Sequence, residues 1–137
     1  MEVNMTSSNP ITIARALHAA LETGASGEVL RALFTPHATT LEHPNAIKPQ
    51  GGSATLDQML SASIAGAKLL ARQHYELVDA IAHENLAILR VIWTATIAAD
   101  AGPFAAGQEL RAHIAQFITT EGERISRIET FDCYDPF

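Results

Sequence analysis

The stretch LAILRVIWTATI, at residues 86–97, predicts a long β-strand, because its side chains alternate with the period of two that a strand imposes. One face would carry only apolar side chains, from Ala87 through Trp93 to Ile97. The other face is mixed, since Arg90 and two threonines stand among apolar residues. A strand of this kind belongs to a sheet that covers a core on its apolar side.

The same period continues on both sides of this strand. Tyr75, Leu77 and Ile81 alternate with polar or small residues and predict a preceding strand after Arg72. Downstream, the turn signal DAGP at residues 100–103 is followed by two predicted strands, at residues 108–119 and 124–134. The segment EGE between these two strands predicts a hairpin. The C-terminal half therefore predicts four strands joined by short turns.

The N-terminal half predicts three helices. Asn9 as a cap and Pro10 at the first helical position start a helix over residues 10–22. Apolar residues between positions 29 and 34 form the stripe of a short second helix, which Pro36 ends. Thr55 and Gln58 form a capping box before a third helix, whose apolar face runs to position 70.

Between the second and third helices, residues 37–43 predict a short strand that Pro44 closes. The loop that follows contains Gly51 and Gly52, which we interpret as a turn before the third helix. Helices clustered before an antiparallel run of strands indicate the α+β class. We expect one domain over residues 9–137, preceded by a flexible tail at residues 1–8.

Composition and charge argue against several classes of protein. The chain has 137 residues, 47% of them apolar, and a formal net charge of −6 from 9 basic and 15 acidic residues. The apolar share supports a packed core, and the acidic balance argues against nucleic acid or an anionic membrane as a partner. No apolar run reaches the roughly 20 residues of a membrane span.

The single cysteine, Cys133, cannot form an internal disulfide, and its place inside a strand predicts a buried, inert thiol. This cysteine usage and a polar N-terminal segment without a signal-peptide pattern predict a cytoplasmic protein. The six histidines include no tight pair such as H-x-H, so we expect no metal site. The glycines form no phosphate loop, and we expect no cofactor.

Three segments resemble the SnoaL-like branch of the nuclear transport factor 2-like superfamily: VIWTAT, LRAHIAQF and GERISRIETFDCYDP. With the order of helices and strands, the resemblance spans residues 10–136. It implies a curved, mixed or antiparallel sheet that three N-terminal helices wrap into a cone with a central pocket, the cystatin-like α+β roll. Members of the superfamily often pair through their sheets, which implies a homodimer here.

The segment ATTLEHPNAIKPQGG, at residues 38–52, resembles the ketosteroid isomerases of this superfamily. In those enzymes the first strand ends in Glu-Asp-Pro and the Asp is the base, so the resemblance puts His43 in the position of the base. Histidine has an ordinary pKa of about 6.5, which suits proton transfer near neutral pH. The isomerases bind the oxyanion with a tyrosine from the first helix and an acid from the penultimate strand. This chain has neither, since its first helix has no tyrosine and Ala115 occupies the position of the acid.

Asp132, in the segment TFDCYDP, is the second catalytic candidate. SnoaL-like cyclases use an Asp on a late strand as acid and base, and Asp132 corresponds to it. Limonene epoxide hydrolases of the same superfamily need an Arg-x-Asp pair on a middle strand. Here Arg90 is followed at that spacing by Ile92, so we exclude their mechanism. A buried carboxylate at position 132 would need polar partners or a raised pKa.

Each candidate also has a structural interpretation. His43 would be either a pocket base or a strand-end histidine bonded to nearby backbone, and alternation would turn Glu42 to the other face, toward solvent or a salt bridge. Asp132 would serve a pocket or the strand's own packing. The remaining pocket-lining candidates are Trp93, His113, Phe117 and Tyr134. Those four would equally fill a core or an interface.

These features predict a protein that binds a small apolar carbonyl compound in the cone. The predicted chemistry is cofactor-free proton transfer, isomerisation or cyclisation, with His43 and Asp132 sharing the acid and base roles. One alternative is a ligand-binding protein of the same fold without catalysis. The other is an interaction module that dimerises through the mixed sheet face that carries Arg90.

Overall fold

A computed structural model describes residues 9–137, and the tail predicted at residues 1–8 lies outside them. The described chain begins with helix α1 (Pro10–Glu22), a 3₁₀ helix (Gly27–Leu33), strand β1 (Phe34–Glu42) and strand β2 (Gly52–Thr55). Helix α2 (Leu56–Leu69) and four long strands follow: β3 (Leu70–His83), β4 (Leu86–Ile97), β5 (Glu109–Glu121) and β6 (Arg124–Tyr134). This order confirms the α+β class.

The strands form one open, six-stranded sheet in the order β2-β1-β6-β5-β4-β3. β1 runs parallel to β6, and every other neighbouring pair is antiparallel. The sheet is therefore mixed. Its topology places the end of β1 beside the middle of β6, two segments far apart in the sequence.

One face of the sheet packs against the helices, and we term it the inner face. Leu89 and Val91 of β4 are buried on it, as the wholly apolar face of this strand predicted. They share a core cluster with Ile13 and Leu17 of α1. Full burial of one such side chain contributes about 1.5–3 kcal/mol. The opposite face, which includes Arg90, is termed the outer face.

Local signals fix where both α-helices begin. The Asn9 side chain accepts a hydrogen bond from the backbone N of Ile11 at 2.8 Å, and Pro10 occupies the first turn of α1. Thr55 and Gln58 exchange the two hydrogen bonds of a capping box before α2. The predicted bounds of α1, β4 and β6 agree with the structure. Among the described helices, none is long and apolar enough to cross a bilayer.

Some features differ from the sequence-based expectations. Pro36 does not end the second helix but lies inside β1, where the β1–β6 register is irregular and a missing N–H is tolerated. Gly52 does not precede the helix as a turn but opens β2, which pairs with the end of β1. Cys133 is exposed on the outer face, because that face of β6 is not covered by α1 or α2.

Candidate functional site

Asp132, Tyr134 and Trp93 lie together on the inner face. Residues directly opposite one another on antiparallel strands point to the same side of a sheet. Asp132 is opposite Ile114, and both Tyr134 and Trp93 are opposite Ala112, which is fully buried. These three predicted site residues are therefore neighbours across β4, β5 and β6.

The Asp132 carboxyl group is half-buried and has one hydrogen-bond donor. Thr130 Oγ1 donates to its Oδ1 at 2.6 Å, and within residues 9–137 its other oxygen has no hydrogen-bond partner. Burial raises the pKa of the Asp132 carboxyl, the hydrogen bond from Thr130 opposes this shift, and the charge of Glu42 adds to it. A carboxyl with a raised pKa is a better match for proton transfer near neutral pH than a surface aspartate.

Two tyrosine hydroxyl groups share this region with Asp132. Burial, and then the charge of Asp132, raise the pKa of both Tyr75 and Tyr134. Tyr134 meets Trp93 edge to face with ring centroids 6.2 Å apart, and Trp93 Nε1 donates to Gln73 Oε1 at 2.9 Å. In the described part of the chain neither hydroxyl has a hydrogen-bond partner. Both can therefore donate to the oxygen of a ligand.

A short hydrogen-bonded chain from α1 reaches the same face. His18 is 2% exposed, and its Nε2 lies 2.7 Å from Gln116 Oε1. Its Nδ1 lies 3.1 Å from Arg15 Nη1. Gln116 is opposite Thr130, so it is a diagonal neighbour of Asp132, and such positions are roughly 7–8 Å apart. The inner face thus holds a carboxyl group with an amide close by.

Glu42 also lies on the inner face, which corrects the expectation that it turns away from the site. It is opposite Thr130 in the parallel pairing of β1 with β6. Asn45 Nδ2 donates to its Oε2 at 2.8 Å, and Lys48 Nζ lies 3.5 Å from its Oε1. The predicted salt bridge is present, but it holds Glu42 on the side of Asp132.

His43 lies on the outer face, so it does not share a surface with Asp132. Its Nε2 lies 2.7 Å from Glu129 Oε2, and its ring stacks on Phe131 with centroids 4.0 Å apart. The prediction that His43 and Asp132 act on one substrate is therefore wrong. A register slip of one residue turns every side chain of a strand to the other face. In this chain Glu42 takes the inward position at the end of β1, and His43 follows it on the opposite face.

His113 and Phe117 also lie on the outer face, so the prediction that they line the central pocket is wrong. They are opposite Ile92 and Ile88, the outward residues of β4. His113 Nε2 lies 3.2 Å from Asp135 Oδ1. His113 also lines an outer groove of about 320 Å³ whose wall includes Val78, Arg90, Ile92 and Phe131.

Neighbouring residues of β5 likewise face opposite sides of the sheet. Ala115, which the comparison placed at the isomerases' acid, faces outward opposite Arg90 and Phe131. The next residue, Gln116, has the inward position. Arg90 itself is held by Asp79 through hydrogen bonds of 3.0 and 2.9 Å on the outer face, away from Asp132.

A model of the SnoaL-like domain family matches residues 14–128. The chain belongs to the SnoaL-like domain family. This confirms the resemblance to the nuclear transport factor 2-like superfamily. A search of curated proteins finds no match for this SnoaL-like domain.

Several solved structures share the fold of this SnoaL-like domain. IdmH from Streptomyces antibioticus, a proposed polyketide cyclase, is 16% identical over 91% of this chain and 92% of that chain, with a TM-score of 0.74. A proposed SnoaL-like polyketide cyclase from Jannaschia sp. CCS1 is 14% identical over 96% and 90%, with a TM-score of 0.70. An uncharacterized cystatin-fold protein from Novosphingobium aromaticivorans is 19% identical over 90% and 98%, with a TM-score of 0.67. These likenesses show the fold.

The sequence carried signals for the residues that the prediction missed. On β5 of this SnoaL-like domain, alternate positions from Leu110 to Ile118 are apolar except Gln116. On α1, His18 directly follows Leu17 within the buried stripe. A polar residue inside an apolar pattern is expected to be hydrogen-bonded or functional. Within the described residues, no group of three or more His, Cys, Asp or Glu side chains is arranged to hold a metal ion.

Proposed function

We propose that this SnoaL-like domain binds a small apolar carbonyl compound against the inner face and that Asp132 moves a proton on it without a cofactor. The observation that carries the proposal is the Asp132 carboxyl, half-buried and raised in pKa, with one oxygen that has no partner in the described residues. Trp93 and Ile114 supply apolar surface beside it. The proposed cyclases among the similar structures support the class of substrate.

The proton transfer that this arrangement suits starts with ionised Asp132. The carboxylate takes a proton from the carbon next to the carbonyl, the electron pair of that C–H bond forms a C=C bond, and the π pair of the C=O bond moves to the oxygen. Tyr75 and Tyr134 would donate hydrogen bonds to the resulting enolate oxygen. In an isomerisation, protonated Asp132 returns the proton to another carbon. In a cyclisation, the enolate carbon attacks a second carbonyl, and Asp132 protonates the new alkoxide.

Hydrogen exchange on a model ketone tests this role. We expect the protein to accelerate deuterium incorporation from D₂O into 2-tetralone, followed by NMR. Asp132→Asn should slow the catalysed exchange by about 10²–10⁴-fold, the range that general acid–base groups contribute. Asp79→Asn is the matched control, because Asp79 pairs with Arg90 on the outer face and should leave the rate unchanged. Equal rates for the protein and for Asp132→Asn would contradict the catalytic role.

The same experiment separates catalysis from ligand binding alone. The hydroxyl groups of Tyr75 and Tyr134 have no hydrogen-bond partners in the described chain, which also suits a protein that only holds a carbonyl compound. In that case 2-tetralone would bind to the inner face, seen as chemical-shift changes at Trp93, without faster exchange. We favour catalysis because the burial that raises the pKa of Asp132 destabilises the folded state once the group is ionised. A protein that only binds a ligand gains nothing from that destabilisation, whereas an acid–base catalyst needs the shifted pKa.

We further propose that two copies of the chain pair through their outer faces. Large apolar side chains are exposed there: Val78 is 45%, Ile81 66% and Phe131 42% exposed. Exposed apolar clusters of this kind mark interaction surfaces. Phe131→Lys should therefore give a monomer in sedimentation. Val29→Lys, at a 68% exposed position on the 3₁₀ helix, should not change the oligomeric state.

The cytoplasmic location expected from the cysteine usage stays a prediction. Fractionation of cells that express the tagged chain tests it, and recovery of the protein outside the cytoplasm would contradict it.

A further inference from the structure

His18 is a buried histidine whose two ring nitrogens both have partners. Its side chain comes from α1 and stacks on the Tyr75 ring, with centroids 4.5 Å apart and ring planes within 2° of parallel. Its Nε2 contacts Gln116 Oε1 at 2.7 Å, and its Nδ1 contacts Arg15 Nη1 at 3.1 Å. No other histidine in the described chain is as deeply buried. A buried polar side chain held from three sides is expected to have one fixed orientation.

The guanidinium group of Arg15 determines which nitrogen of His18 carries the proton. Arginine only donates hydrogen bonds, and Arg15 Nη1 also donates to the backbone O of Tyr75 at 3.2 Å. The Nδ1 atom of His18 must therefore accept, which leaves the proton of the neutral ring on Nε2. Burial lowers the pKa of His18, and Arg15 lowers it further, against opposing effects from Gln116 and Glu22. The neutral Nε2–H tautomer is thus favoured at neutral pH.

The proton on His18 Nε2 in turn determines the orientation of the Gln116 amide. Because Nε2–H donates, the atom of Gln116 that faces it must be the acceptor Oε1. The amide NH₂ group then points away from His18. Within residues 9–137 this NH₂ group has no acceptor, although it lies on the inner face opposite Thr130. Both N–H bonds of this group can therefore donate to a ligand that lies near Asp132.

We propose that His18 is a positioning residue which, with its tautomer fixed by Arg15, holds the Gln116 NH₂ group ready to bind the substrate's carbonyl oxygen. This inference rests on the proposed function, since it concerns the same carbonyl compound. Without His18, a half-turn of the amide would present Oε1 to the substrate, and two oxygens would then repel each other. Gln116 would thereby supply a donor for the oxyanion, and His18 would keep it in the productive orientation.

An ionisable aromatic alcohol tests this positioning. The probe is 2-naphthol, whose anion resembles an enolate, and 2-methoxynaphthalene is the control ligand that cannot ionise. All variants are made in an Asp132→Asn background, which represents the site after Asp132 has taken its proton and removes a nearby negative charge. Fluorescence titration then gives the affinity for the naphtholate and for the control ligand.

We expect His18→Phe, which keeps a ring against Tyr75, to weaken naphtholate binding about 10- to 100-fold. It should leave 2-methoxynaphthalene binding within about twofold. His18→Gln restores an N–H donor toward Gln116 and should bind naphtholate as the background does. Gln116→Leu should lose the same preference as His18→Phe. Equal weakening of both ligands by His18→Phe would show a merely structural role and overturn the inference.

The outcomes separate this inference from the proposed function. If Gln116→Leu loses naphtholate preference and His18→Phe does not, the positioning role is wrong and the proposed function stands. If no variant binds naphthol, the proposed pocket fails, and ¹⁵N NMR of unliganded protein decides the positioning. An Nε2–H tautomer of His18 that becomes mixed in Arg15→Leu would support it. An Nδ1–H tautomer in the natural sequence would overturn it.

Discussion

At the scale of single residues, Asp132 is a group whose ionisation opposes folding. Its carboxyl pKa is raised from the ordinary 3.8, chiefly by burial, so the folded state binds this proton more tightly than the unfolded state. Stability therefore falls as the pH rises from the unfolded pKa through the raised folded pKa. Above the folded pKa, Asp132 is ionised in both the folded and the unfolded state, and its burial then lowers the free energy of unfolding by the full amount.

Asp132→Asn should remove this cost, since the amide can still accept from Thr130 and carries no charge. We expect the Tm to rise by roughly 2–5 °C at pH 7 and to change little at pH 3, where both side chains are neutral. Thermal unfolding followed by circular dichroism at both pH values measures this. Asp79→Asn is the control, because the hydrogen bond from Arg90 lowers the pKa of Asp79, the opposite of the shift at Asp132. Replacing Asp79 should therefore not raise the Tm. A Tm for Asp132→Asn at or below that of the natural sequence at pH 7 would contradict the assignment.

Of the two catalytic candidates, the structure has Asp132 on the inner face and His43 on the outer face. Asp132 belongs to a long strand whose pairing with β5 is regular around it, so its alternation can be extended from neighbouring apolar residues. His43 comes directly after β1, whose register with β6 is irregular. The face of the sheet on which His43 lies therefore depends on the pairing with β6, which no local sequence pattern encodes. Gln116 and His18 meet only in the fold, since they lie far apart in the sequence.

At the scale of elements, the strands and helices with complete local signals were predictable. Caps and alternation gave the bounds of α1, β4 and β6. β2 was not predicted, because it has only the residues Gly52–Thr55 and owes its extended form to pairing with β1. The helical stripe before β1 became a 3₁₀ helix, in which Leu30 is buried and Val29 is 68% exposed.

The turn between β1 and β2 depends on one glycine, and this allows a prediction. Gly51 has φ +62°, and a Cβ there would lie 2.5 Å from Glu42 O and 2.9 Å from Pro44 N, both backbone atoms. Gly51→Ala should therefore destabilise the domain by at least about 2 kcal/mol. Gly52→Ala is the matched control, because its Cβ would meet only the flexible end of Lys48 at 3.7 Å, and it should cost less than about 0.5 kcal/mol.

Urea unfolding of both variants measures these free energies. Because the turn also holds Glu42 at the end of β1, Gly51→Ala should disturb the ladder from Thr39 to Glu42 that pairs with β2. Amide exchange in β2 should then be faster than in the natural sequence, while β4 is unaffected. If Gly51→Ala and Gly52→Ala had equal stability, the close approach at position 51 would not describe the protein.

At the scale of the whole molecule, the two faces of the sheet have separate roles in the proposals. The inner face carries Asp132 and Gln116, while the outer face carries exposed apolar groups such as Phe131. Strands β4, β5 and β6 contribute to both. Pairing through the outer face would restrain these strands and hold the inner-face side chains in place. The sequence indicated the inner surface through the apolar face of β4 and the outer surface through its mixed face, but it could not place a partner on either.

The exposed Cys133 provides a natural reporter for the proposed dimer. It lies on the outer face opposite His113, inside the surface that pairing would cover. Stable interfaces bury about 800 Å² on each partner, which is enough to include this thiol with Phe131. The labelling rate of Cys133 by a maleimide should therefore fall at least about tenfold between a dilute and a concentrated solution, as the reactive monomer is depleted.

In Phe131→Lys, Cys133 labelling should stay fast at both concentrations. The control is a Cys133→Ser chain with Val29→Cys, whose thiol would lie on the 3₁₀ helix away from the outer face. Its labelling rate should not depend on protein concentration. A natural chain whose Cys133 reacts equally fast at both concentrations, while sedimentation shows a dimer, would place the interface elsewhere. Because α1 and α2 pack against the inner face, such a partner would then contact an edge of the sheet, and the inner-face surface at Asp132 would stay available to the carbonyl ligand.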